Sequence, residues 1–304
     1  MPLQLSLATE ADLPAIARSQ MAAFHPIDPI HALMYPSPTP VPESVISQIV
    51  TRHIASWRSK PTGSTWLIVT DPSQPKDAQG RDLVIAAAKW IFLAEDEEED
   101  EERWSAPEIT WAAQPQEGEQ WDVPGAHDLS FEAPDMASSP RHASSLLHEG
   151  SRPKFFLPEA PLTPPSVPRI MQQFYADRRL HVRGAGAVLD LCFTHPSFQK
   201  MGAGKLLVGW GTRKADELGV PAWVEGSVFG RGLYQKFGFG EGGGVLERVR
   251  LGPWGADGDE GRGVAVRRAG SEEGWRAEWS DKGYLGGGWW FMGRPGKGAV
   301  LEMH

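Results

Sequence analysis

The sequence predicts an α/β protein: one central sheet flanked by helices. Three observations carry that prediction. Val188–Phe239 reads as strand, glycine-rich turn, helix, strand and short helix. Thr65–Thr70 (TWLIVT) and Leu83–Leu93 (LVIAAAKWIFL) are apolar runs of strand length, joined by a turn region of Pro, Asp, Lys and Gly. An alternating strand and an amphipathic helical pair precede them.

Leu3–Leu7 alternates and predicts the first strand. Thr9-Glu10-Ala11-Asp12 supplies an N-cap with acids in the first turn and opens a helix through about Phe24. His25–Pro42 is proline-rich and reads as a loop. Glu43–Lys60 places Val45, Ile46, Ile49, Val50, His53, Ile54 and Trp57 at helical spacing, an amphipathic helix. The apolar content of the next two strands implies burial on both faces. Ser166–Leu180 reads as a helix, Val188–Thr194 as the central strand, and Lys205–Gly219 as a helix with Gly219 as its C-terminal stop. Ala222–Glu225 is the next strand and Val228–Phe237 a short helix, followed by strands at Val245–Leu251 and Trp289–Arg294.

Two stretches break this order. Glu95 to Glu102 is an unbroken acidic run, and Ala94–Pro165 holds 17 Asp/Glu against 4 Lys/Arg together with ten prolines. Charge repulsion and proline oppose a packed element, so residues 94–165 are expected to be an acidic, disordered insertion within a single domain spanning 1–304. Residues 252–288 are glycine-rich and read as a second insertion or a long hairpin connection.

Bulk properties narrow the function. Hydrophobic content of 40% with 13 Trp is enough for a core. The net charge of −9 is concentrated in Ala94–Pro165, which leaves the remainder at +4 and argues against a nucleic-acid-binding surface. Cys192 is the sole cysteine, so no intrachain disulfide forms, which suits a reducing compartment. The N-terminal stretch has no basic leader, and no apolar run approaches the roughly 20 residues that span a bilayer. A soluble, cytoplasmic protein is expected, with no metal and no membrane partner.

The chemistry-bearing motif is Gln199-Lys200-Met201-Gly202-Ala203-Gly204, a Q-x-x-G-x-G turn between a strand and a helix. The first N–H groups of a helix lack intrahelical acceptors and the helix dipole adds positive potential, so this turn is a phosphate cradle. Gly202 and Gly204 let a phosphate approach without a Cβ in the way. A P-loop is excluded because Gly204-Lys205 is followed by Leu206 and Gln199 stands five before Gly204. A dinucleotide fingerprint is excluded because the third glycine is missing, both here and after Gly184-Ala185-Gly186. An ordinary tight turn is the bland alternative. About 30 residues on comes Leu233-Tyr234-Gln235-Lys236-Phe237-Gly238-Phe239.

The two motifs, in this order and spacing, resemble the GNAT superfamily of acetyl-CoA-dependent N-acetyltransferases. The likeness is specific over Val188–Phe239 and loose over Met1–Leu93 and the rest of Ser166–His304. The long insertions resemble fungal members. The resemblance implies a GNAT fold: a mixed central sheet splayed at the two strands that grip acetyl-CoA. It implies that Leu191, Cys192, Phe193 and Thr194 pair through their backbone with the pantetheine arm, as an added strand does. It implies that Gln199, Lys200, Met201, Gly202, Ala203, Gly204 and Lys205 hold the pyrophosphate, and that Tyr234 is the acid that protonates the leaving thiolate. His195-Pro196 also matches the family sequence before the cradle.

A base for the amine is less defined. Glu225 ends a strand facing the cleft, and Asp190 lies on the central strand. Strict alternation would place Asp190 on one face with Val188, Cys192 and Thr194. A carboxylate in apolar surroundings has a raised pKa suited to a base, although a structural role fits each as well, and the proton can also leave through water. His195 reads as an exposed loop residue, and His25 and Asp28 are weaker candidates on the acceptor side. Cys192 has no histidine partner nearby in sequence and reads as a core residue, not a nucleophile. Three functions stay open: acetyl transfer to a small-molecule primary amine, transfer to a protein or peptide amine, and a non-catalytic acyl-CoA-binding module.

Overall fold

The computed structural model describes residues 2–25, 31, 35, 37–59, 63–77, 80–94, 178, 181–227, 229–240, 246–253, 264–268 and 288–298. Its strands are β1 (Gln4–Leu7), β2 (Ser64–Thr70), β3 (Val84–Leu93), β4 (Gly186–Thr194), β5 (Ala222–Ser227), β6 (Leu246–Pro253), β7 (Val264–Arg268) and β8 (Gly288–Arg294). Its α-helices are α1 (Leu13–Phe24), α2 (Glu43–Ser59), α3 (Ala203–Leu218) and α4 (Arg231–Gln235), with 3-10 turns at Glu10–Asp12 and Pro196–Phe198. The expected acidic insertion and most of the predicted helix Ser166–Leu180 lie outside the described residues.

The strands form one sheet in the order β1-β2-β3-β4-β5-β8-β6-β7. The β4–β5 pair is parallel and the other pairs are antiparallel, so the sheet is mixed. β7 falls inside residues 252–288 and pairs with β6.

Two helical layers cover the sheet. On one face, α1 and α2 pack over a cluster containing Leu13, Ile16, Trp66, Ile68, Ala87 and Phe193. Asp12 closes the start of that layer by accepting from both the Thr9 N–H and hydroxyl at 2.8 Å. On the other face, α3 packs over Leu67, Val69, Ala88, Trp90, Leu189 and Val224. Gly211 sets how close α3 can come: a Cβ there would lie 1.9 Å from Trp90 Cε2. The Trp90 indole, fully buried, donates its N–H to the Leu207 carbonyl at 3.3 Å.

β4 and β5 touch over three residue pairs only, Ala187↔Ala222, Val188↔Trp223 and Leu189↔Val224. Beyond Leu189 they separate, and the cause is legible in the next ladder. Lys89 of β3 faces Leu191 and Trp90 faces Leu189, so Asp190 is an extra residue, a β-bulge. A bulge bends its strand and re-aims its side chains. The splay therefore begins at Asp190.

Candidate active site

The cradle closes on its own backbone. Lys200 has φ 65° and Gly202 φ 97°, so the turn passes twice through the left-handed region. Successive amides in such a turn point into one concavity, an anion nest. α3 starts at Ala203, two residues before the sequence-based expectation, with Gly202 as its N-cap. Gln199 N–H donates to Pro196 and Lys205 N–H to Gly202. Among the described residues, the amides of Lys200, Met201, Gly202, Ala203 and Gly204 have no acceptor. A Cβ at Gly202 would meet nothing within 4 Å, so the space over the turn is open. Five unpaired donors at a helix N-terminus, with Lys200 and Lys205 beside them in the chain, suit a pyrophosphate.

Leu191–Thr194 are paired on one edge, with Ala86, Ala87, Ala88 and Lys89 of β3. Past Leu189 β4 does not pair with β5. That side of β4 faces the splay with its own amides and carbonyls, as an added extended chain requires.

Tyr234 lies across the splay. Its side chain is buried, packed edge-on against Phe239. Two glycines make the slot for its ring: a Cβ at Gly230 would lie 2.7 Å from Tyr234 Cε2, and one at Gly226 2.8 Å from Cδ2. The phenol lies beside the Cys192 thiol. Burial, then the neighbouring Cys192 and Glu225, push the Tyr234 hydroxyl well above its ordinary value, so it keeps its proton. Burial pushes the Cys192 thiol up to about 12, against the pull of Tyr234. A thiol so raised has almost no thiolate at neutral pH.

The bulge corrects the strict alternation expected of β4. Val188 packs with Leu93, Val182, Trp223 and Phe291, whereas Cys192 packs with the α3-side cluster and Leu191 and Phe193 with the α1–α2 side. Asp190 consequently does not share a face with Cys192. One inserted residue flips every later side chain to the other face.

Asp190 and Glu225 both bind Arg178, which is 1% exposed. Arg178 Nε and Nη2 donate to the two Glu225 carboxylate oxygens at 2.7 and 2.9 Å, and Nη1 donates to Asp190 at 2.7 Å. Lys89 Nζ reaches the other Asp190 oxygen at 3.0 Å. One guanidinium thus ties β4 to β5 where their pairing ends. Burial raises the Asp190 carboxyl, but Lys89 and Arg178 outweigh it and hold the group well below the usual carboxylate range. Burial raises Glu225, partly countered by Arg178.

The histidines fall elsewhere. His195 caps the Pro196–Phe198 turn, its Nδ1 accepting from Ser197 N–H at 3.3 Å. His25 contacts Thr39 Oγ1 at 3.3 Å, and Asp28 lies outside the described residues. Sequence reasoning missed Arg178 and Lys89. Lys89 had a visible signal: it is the one charge in the apolar strand VIAAAKWIFL, and Asp190 is the one charge in GAVLDLCFT.

Among the described residues there is no group of three His, Cys, Asp or Glu placed to hold a metal ion, and no helix long and apolar enough to cross a membrane.

No protein-family model matches the chain, and no curated protein sequence matches it. Solved structures do. The arylalkylamine N-acetyltransferase 2 of Aedes aegypti superposes with a TM-score of 0.50 at 8% identity, covering 96% of this chain and 98% of that one. A polyamine N-acetyltransferase of Drosophila melanogaster matches at 10% identity and TM-score 0.46, over 96% of this chain and 98% of its own. A GNAT-family N-acetyltransferase of Escherichia coli, solved in complex with CoA, matches at 11% identity and TM-score 0.32, over 79% and 69%. The chain has the GNAT-type acetyltransferase fold, a mixed sheet with flanking helices.

Proposed function

We propose that this chain is an acetyl-CoA-dependent N-acetyltransferase that moves an acetyl group directly to a primary amine of a small molecule. The observation that carries the reading is the run of five unpaired amides, Lys200–Gly204, opening beside the free edge of β4. Acetyl-CoA supplies an activated thioester. Lys200 to Lys205 would hold its pyrophosphate, and the backbone of Leu191–Thr194 its pantetheine arm. In this reading residues 1–304 form one transferase domain, with 94–165 as an insertion and 252–288 contributing β7 to the sheet.

Tyr234 is the acid in this reading. Its phenol keeps a proton at neutral pH and sits in the splay beside Cys192. As the amine nitrogen bonds to the acetyl carbon and the C–S bond breaks, the sulfur takes a proton from the Tyr234 oxygen, and solvent restores it. β4 amides past the bulge would donate to the carbonyl oxygen as it gains charge.

Asp190 and Glu225 stabilise the splay and take no proton. Each is engaged by Arg178, and Asp190 is too weakly basic to deprotonate an amine. The amine sheds its proton to water. Direct transfer agrees with the raised Cys192 thiol, which makes a poor nucleophile. The test is thiol release from acetyl-CoA over a panel of primary amines, with Tyr234→Phe as control. The variant should keep acetyl-CoA affinity and lose about 10²-fold or more in kcat. An unchanged kcat in Tyr234→Phe would remove the tyrosine from the mechanism.

A further inference from the structure

The α1–α2 side of the splay holds a polar cluster that the transfer chemistry does not use. Gln20 bridges His31 and His53, at 3.1 and 2.9 Å. His31 lies between Phe24 and Tyr35, with ring centroids 5.0 and 4.6 Å away. Arg52 of α2 places its guanidinium 5.4 Å from the centre of the Tyr35 ring. This cluster adjoins the bulge: the charge of Asp190 reaches both Tyr35 and His53, and that of Lys89 reaches His53.

Among the described residues the charges there do not balance. Arg178 and Lys89 neutralise Asp190 and Glu225, and Lys89 also donates to Ser56 at 3.2 Å. Burial brings His31 and His53 down to about 3, so both are neutral at physiological pH. Arg52 is left over. Among the described residues it has no carboxylate partner, and its Nη1 is buried without an acceptor. A buried guanidinium donor without an acceptor costs free energy in the absence of a ligand. His25 Nδ1 and Ser37 Oγ, in the same connection between α1 and α2, are also buried without partners.

We infer that Arg52 receives a carboxylate of the acceptor, so that the substrate is a carboxylate-bearing primary amine of the amino-acid type and not a polyamine. A second ammonium on the acceptor would need a free carboxylate. Among the described residues the two on this side of the splay, Asp190 and Glu225, are already bound to Arg178 and Lys89, and the remaining charge is positive. A planar guanidinium instead matches a carboxylate with paired donors. The assignment rests on the transferase reading.

The experiment compares amines paired by loss of one carboxylate: phenylalanine with phenethylamine, alanine with ethylamine, lysine with cadaverine. Wild type, Arg52→Gln and Arg52→Lys are assayed for thiol release from acetyl-CoA, and acetyl-CoA binding is measured separately by calorimetry. Basicity differs within each pair, so the decisive quantity is the change in the kcat/KM ratio on mutation. A charge-assisted hydrogen bond implies that Arg52→Gln lowers the ratio, carboxylate-bearing over decarboxylated, by about tenfold or more. Arg52→Lys should restore part of it. A merely structural Arg52 would lower both members equally, which overturns the inference. Preference for the decarboxylated members, or turnover of no carboxylate-bearing amine by a protein that binds acetyl-CoA, also overturns it. Absence of acetyl-CoA binding defeats the transferase reading itself and is seen before any amine is added.

Discussion

Replacing Arg178 with methionine should destabilise the fold by about 3–5 kcal/mol, the cost of breaking a buried ion pair by removing one partner. Three short hydrogen bonds are lost, two to Glu225 and one to Asp190. The two carboxylates then fare differently. Asp190 keeps Lys89 at 3.0 Å and is 22% exposed, so it stays paired. Glu225 is 2% exposed and, among the described residues, keeps no other charge partner. The cost therefore sits on Glu225, and a double-mutant cycle locates it. Arg178→Met/Glu225→Gln removes the stranded charge and should recover more than half of the loss, whereas Arg178→Met/Asp190→Asn should not.

The pH dependence has a definite sign. Burial already raises Glu225, and Arg178 is what pulls it down, so the substitution raises it further. A carboxyl raised above its unfolded value adds stability that is complete below that value, near 4.5, and is lost as pH climbs through the folded one. The deficit of Arg178→Met should be largest at neutral pH and shrink on acidification toward 4.5. Urea denaturation at neutral pH and about two units lower measures it. A loss below about 1 kcal/mol, or one that grows on acidification, would refute the buried-pair argument.

Three further outcomes follow from the same geometry. Gly211→Ala forces a Cβ into the Trp90 indole and should cost about 1–3 kcal/mol or more in thermal or chemical denaturation; no loss would mean α3 does not pack this close. Gly230→Ala drives a methyl into the Tyr234 ring and should lower kcat while sparing acetyl-CoA affinity, because it moves the acid and leaves the cradle; parallel loss of both would contradict that division. Asp190 is held well below the usual carboxylate range, and with the proposed loss of the amine proton to water kcat/KM should rise with pH through the acceptor's own pKa. Two amines of different basicity should shift the inflection; an inflection common to both would reveal an enzyme base.

The fold was legible because its signals are local. Apolar runs gave β2 and β3, whose residues are buried on both faces, and Gly219 at φ 71° ends α3 where its chemistry requires. The turn into α3 was legible too, since two glycines between a strand and a helix leave few conformations open. The face of Asp190 was not legible. A bulge is a mismatch between two strands, and β3 and β4 are separated by more than 90 residues. The partners of Asp190 and Glu225 escaped for the same reason: Arg178 belongs to neither strand and meets both only once the sheet splays. The isolated Lys89 and Asp190, each in an apolar strand, were the available hint, because unlike charges in buried neighbours must pair.

The central claim is that Lys200–Gly204 cradle the pyrophosphate of acetyl-CoA. Calorimetric titration of acetyl-CoA, CoA and their dephospho forms into the wild type and Gly202→Glu tests it most directly, with circular dichroism to verify that the variant is folded. Glutamate at this N-cap aims a negative charge into the nest. The account predicts saturable binding to the wild type and its loss in a folded Gly202→Glu. No binding to the wild type, or equal binding to both, would contradict it and leave Gln199–Gly204 as a turn between a strand and a helix.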